Sequence, residues 1–191
     1  MSWVTMDGKD LKAMLRAFPR KLQTALASAC AERVYMVWEE NWVGDYTPSV
    51  KEAVALGWEY ATNPNADLSR REALLADLNE LADYLNDEEI EILASTATVS
   101  LRVLESITDD NKASAQALER ALGSALYVAP LAGQSSGQGE KESEKEELDW
   151  QEAALEIAKS WQGPCQRQMF DGIGHKPPRW WTIYQAEAKT L

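Results

Sequence analysis

Histidine is almost missing from this chain of 191 residues, which holds one, His175, beside two cysteines, Cys30 and Cys165. A single imidazole cannot supply the paired Glu-x-x-His motifs of a di-iron helical bundle. Set among Gly174, Lys176 and Pro177, it also makes a poor base for a nucleophilic triad. Cys30 lies within a helical pattern and Cys165 follows Gly163-Pro164, so neither a disulfide framework nor a zinc knuckle is indicated, and both thiols are expected to be reduced. Gly172-Ile173-Gly174 has neither the third glycine nor the strand and helix that a dinucleotide loop needs. No cofactor and no metal are therefore expected. Long apolar runs are lacking too: none approaches the roughly 18 residues of a membrane span. The opening Met1-Ser2-Trp3-Val4-Thr5-Met6-Asp7 has no basic patch or apolar segment of a secretory signal, which gives the expectation of a cytoplasmic protein without a membrane partner.

Positive charge is scarce, with 19 Lys and Arg against 31 Asp and Glu and a net charge of −12. The imbalance is local. Between Asn41 and Leu131 there are sixteen acidic residues and six basic ones, whereas the balance is plus one before Asn41 and minus three after Leu131. Such a surface repels nucleic acid and acidic membranes and attracts basic proteins.

Alternation of period two is absent, and helical spacing of apolar residues runs almost throughout. The expected fold class is all-α: a compact bundle of about six helices over residues 1–131, a linker, a seventh helix and a Trp-rich tail. The first helix is expected over Lys9 to Phe18, and Pro19 can open a second that reaches Glu40. Thr47-Pro48 opens a third, ended by Asn63-Pro64-Asn65. Ser69 and Glu72 have the spacing of a capping box for a fourth, in which Leu74, Leu78, Leu81 and Leu85 form one stripe. The fifth, Glu88 to Ile107, has two apolar faces and is expected at the centre. The sixth, Asp110 to Val128, carries Leu118, Ala121, Leu122 and Ala125, with Pro130 closing the compact part. Residues 132–147 are rich in Gly, Ser, Gln, Glu and Lys and read as a polar linker. Residues 148–191 read as a helix, Leu148 to Gln162, followed by a docking tail.

Arg33 falls on the stripe of Leu22, Leu26, Cys30 and Val37, so its guanidinium is expected to be at least partly buried and to need a carboxylate. Asp45, or an acid from another helix, can provide it. Glu32 and Glu39 lie two turns apart on one helix face, and paired carboxylates invite a general acid and base reading, yet no substrate pocket accompanies them and an enzyme is not expected. Trp180 and Trp181 are adjacent, so one of them must turn away from any single packing face. The tail is thus a candidate docking element, and an adaptor or chaperone holding a partner through it is an alternative function.

The run Leu22 to Asp45, with Ala-Cys-Ala-Glu-Arg at 29 to 33 and Gly-Asp at 44 and 45, followed by Ala53, Trp58 and Glu59, resembles a family of all-helical bacterial immunity proteins of polymorphic toxin systems. A related set of uncharacterised bacterial helical proteins shares the opening pattern. The likeness covers roughly Leu22 to Leu131. It implies a non-enzymatic protein that binds and neutralises a cognate toxin in the cytoplasm, with Glu32, Arg33, Asp45, Trp58 and Glu59 as the matching positions that hold the fold. Toxins with basic surfaces fit the acidic middle of the chain, and Asp77, Asp83, Asp87, Glu88 and Glu91 are the expected contacts.

Overall fold

In a computed structural model the protein is described over residues 3–41, 47–88, 90–135 and 139–173, with the backbone alone at 36–41, 47 and 133–135. Seven α-helices occupy most of these residues: α1 (Gly8–Ala17), α2 (Arg20–Asn41), α3 (Thr47–Thr62), α4 (Arg71–Asp87), α5 (Glu91–Ser106), α6 (Asn111–Ser135) and α7 (Glu140–Ser160). Short 3-10 turns, Trp3–Thr5 and Arg167–Ile173, stand at either end, and the described residues contain no strand. The all-α class read from the sequence is the fold observed.

α5 is the hub, packed by α2, α3, α4 and α6, and α6 in turn carries α1, α2 and α7. Both apolar faces of α5 are buried, through Leu93, Ala97, Leu101 and Leu104 on one and Val99 and Val103 on the other. The leucine stripe of α4 faces the same core. Gln23 joins three helices at one end, donating through Nε2 to the carbonyls of Leu15 and Phe18 and to Asn111 at 2.9–3.0 Å. These bonds satisfy the open end of α1 inside the protein.

α3 approaches α2 and α5 unusually closely at Gly57. A Cβ there would lie 2.2 Å from Val103 Cγ1 and 2.3 Å from Ser28 Oγ. Val103 is fully buried and Ser28 is held by a 2.8 Å bond to the Thr24 carbonyl, so neither can retreat. Gly57→Ala is expected to cost about 1–3 kcal/mol through overpacking, read as a lower urea midpoint at an unchanged slope; an unchanged midpoint would show that the helices can part.

Three local expectations fail. Ser69 does not cap α4: its N–H instead donates to Asp67 Oδ1 at 3.0 Å, Glu72 pairs with Arg71, and the helix starts without a side-chain cap. A side-chain turn two residues long competes with the capping box and wins. Pro130 does not close α6, which continues to Ser135 because Val128, Ala129 and Ala132 are buried around the proline. Tertiary packing there offsets the missing N–H. The largest correction concerns the polar linker, since residues 132–135 belong to α6 and 140–147 form the first two turns of α7. Among the latter Ser143 and Glu147 are fully buried.

Candidate partner-binding face

Between Arg71 and Arg102 the chain has eight acidic residues and no lysine or arginine. Because α4 buries Leu74, Leu78, Leu81, Ala82 and Leu85, its remaining positions face outward, and Asp77, Asp83 and Asp87 are all exposed on that side with Glu80. Glu88 is exposed just past the helix end, and Glu91 is exposed in the first turn of α5. α4 and α5 meet at a tight corner, where the N–H of Ile90 donates to the Leu85 carbonyl at 2.9 Å. All five sequence-nominated acids thus stand on one helix and the corner that follows it.

Two further features mark this face. Asp87 and Glu88 crowd the C-terminal end of α4, which has no basic residue in its last turn. The helix dipole favours cations there, so these acids do not serve helix stability. Second, Tyr84 and Tyr127 are the only large aromatic side chains among the described residues that are strongly exposed, at 46% and 48%. Tyr84 lies among the α4 acids, and the Tyr127 hydroxyl on α6 reaches Glu91 at 3.1 Å. That carboxylate holds the phenol above its ordinary pKa and orients it. Exposed tyrosines ringed by charge are the composition of an interface core with a polar rim.

The described motif residues lie elsewhere, Arg33 and Trp58 buried and Glu32 and Glu59 partly buried. Arg33 is buried, and its Nε donates to Glu147 Oε2 at 2.9 Å, with both side chains almost wholly removed from solvent. Its carboxylate comes from another helix, in the segment read as linker; Asp45, the other candidate, lies outside the described residues. The guanidinium sits 4.5 Å above the Trp150 ring, and Gln151 Nε2 bridges Glu147 Oε1 to the Leu122 carbonyl of α6. Burial pushes the Glu147 carboxyl above its ordinary range, opposed by the charge and hydrogen bond of Arg33. The Cys30 thiol, also fully buried, is pushed far up by desolvation and by Glu147 and is inert.

Glu32 forms a 2.6 Å ion pair with Arg167 of the C-terminal 3-10 turn, whose guanidinium lies 5.6 Å from the Trp58 ring. In the same turn Phe170 is completely buried between Trp58 and Trp150, with centroids 6.3 and 6.2 Å away. Glu59 accepts from the Asp67 N–H and pairs with Arg70. Four of the five motif positions therefore hold the body together, and Arg33, Glu32 and Trp58 hold its C-terminal arm. Glu147, Trp150 and Arg167 escaped the sequence reading. The available signal was the spacing Ser143, Glu147, Trp150, Ala154, Leu155 and Ala158, a continuous stripe of period 3.6 running back through the supposed linker.

Trp180, Trp181 and His175 lie outside the described residues, and the Glu39 side chain is not described, so the Glu32 and Glu39 pair has no observed geometry. Among the described residues no group of His, Cys, Asp and Glu is placed to hold a metal ion, and no helix is long and apolar enough to cross a membrane. Compared with known proteins, the chain matches no family model, no curated protein and no solved structure.

Proposed function

We propose that this protein is a non-enzymatic inhibitor that neutralises a basic protein toxin by covering it with the outer face of α4 and the corner into α5. The observation that carries this reading is the base-free acidic stretch from Glu72 to Leu101, whose described acids are exposed, alongside the exposed Tyr84 and Tyr127. The acids speed encounter and select a cationic partner, and the tyrosines supply buried area once docked. The likeness of residues 22–131 to immunity proteins supplies the class of partner, and occlusion asks no chemistry of the inhibitor. A cytoplasmic location, where a toxin-producing cell needs protection, belongs to the same proposal.

The test is co-expression with the toxin domain encoded by the neighbouring gene. A triple variant, Asp83→Lys, Asp87→Lys and Glu88→Lys, is expected to lose protection, and Tyr84→Ala is expected to weaken the purified complex by about tenfold or more. Complex formation is also expected to slow between low and physiological salt, since exposed charges are screened beyond about 8–10 Å. Unchanged protection by the charge-reversed protein, together with a salt-independent association rate, would sink the reading. An adaptor working through the tail predicts the reverse outcome for a chain ending at Ile173: it loses its partner, whereas the inhibitor retains it.

A further inference from the structure

A cavity of about 380 Å³ opens where the start of α2, the end of α3 and the turn after α7 converge. Its volume lies within the range of roughly 300–1,000 Å³ typical of small-molecule sites. We propose that it binds a small apolar carboxylate, with Lys21 as the counter-ion and Trp161 as the wall against which the apolar body lies.

Among the described residues the lining is mostly apolar, including Leu22, Ala61 and Trp161, and contains no acidic side chain although the protein as a whole carries −12. Lys21 is the one charged residue of the lining among the described residues. The ammonium donates to the Asn63 carbonyl at 3.0 Å and lies 5.8 Å from the Tyr60 ring, which fixes its position and commits one of its three N–H donors. Pro19 and Lys21 also bring the first turn of the 22-residue α2 to the cavity edge, where the positive end of the helix favours an anion.

Trp161 is held in place as well. Its Nε1 donates to the Pro164 carbonyl at 3.1 Å, and a Cβ at Gly163 would come within 3.3 Å of its ring, so glycine lets the turn close against the indole. The half-buried Cys165 thiol borders the same space, and burial pushes it up, keeping it protonated. It therefore contributes polarisable wall and no nucleophile, and the binding is non-covalent. A carboxylate reaching Lys21 gains an ion pair together with its hydrogen bond, and the uncharged amide of the same shape gains the weaker hydrogen bond alone.

The experiment follows the Trp161 indole N–H by nuclear magnetic resonance in the full chain labelled on tryptophan. Phenylacetate, phenylacetamide and phenethylamine serve as shape-matched acid, neutral and cationic probes. Phenylacetate is expected to shift the Trp161 resonance saturably, with the amide and the amine weaker by at least about tenfold, because neither sets a negative charge against the Lys21 ammonium. Lys21→Gln is expected to bring the acid down to the level of the amide, and Lys21→Arg to restore most of the difference. The other indole resonances report in the same spectra whether each variant is folded. The proposal is overturned if phenylacetate gives no saturable shift, if acid and amide bind alike, or if Lys21→Gln leaves the acid's affinity unchanged.

Discussion

A chain ending at Leu131 is expected not to fold, even though it keeps α1 to α5 and most of α6. Removing α7 strips Glu147 from the buried Arg33, uncovers the Trp150 side of α6 and takes away the arm that places Phe170 between Trp58 and Trp150. An uncompensated buried charge alone costs about 3–5 kcal/mol, and loss of a buried aromatic cluster adds a similar amount. Together these rival the whole stability of about 5–15 kcal/mol usual for a domain. The expected readout is the loss of a cooperative urea transition and of dispersed amide resonances. A chain ending at Ile173, which keeps α7 and the final 3-10 turn, is expected to melt as the full protein does. If residues 1–131 unfold cooperatively with a comparable midpoint, the C-terminal arm is an accessory and not part of the core.

The second large effect is confined to one pair. Arg33→Met and Glu147→Leu are each expected to destabilise by about 3–5 kcal/mol, because either change leaves an opposite charge buried without its partner. The double variant is expected to regain most of that loss, and an interaction term of at least about 2 kcal/mol in the double-mutant cycle would mark the coupling. Apolar replacements of similar volume keep the site filled beneath Trp150, so a deficit in the double variant measures the lost stacking of the guanidinium on that ring. Single variants that each cost less than about 1 kcal/mol would mean that water enters and screens the survivor.

What the sequence disclosed and what it hid divide along a physical line. Helix type and the inward faces of α4, α5 and α6 were legible because apolar residues repeat at helical spacing, and the burial of Arg33 followed from its place among Leu22, Leu26 and Cys30. The carboxylate that neutralises it was not. Glu147 stands among Glu140, Glu142, Glu144 and Glu146, and only its turn of the helix distinguishes it from acids that face water. Composition over residues 132–147 indicates a solvated coil, while the three-dimensional neighbours Arg33, Gln151 and Leu122 make the same glutamate a core residue. Long-range partnership overrides local composition there, as packing overrides Pro130 in α6. On the acidic face the sequence showed the bias in charge, but the exposure of Tyr84 and Tyr127 depends on how α4 and α6 are rotated, which charge counting does not register.

The link between Arg33 and Glu147 spans 114 residues of chain, and this separation orders events during synthesis. At about 5–20 residues per second a ribosome needs roughly 6–23 s to pass from one to the other. During that interval α2 and the helices made after it, up to α6, lack a counter-ion for the arginine they would bury, and a closed core around it is unfavourable. The protein therefore completes its fold late, when α7 has emerged, and the nascent helices before that moment are the stage most exposed to aggregation.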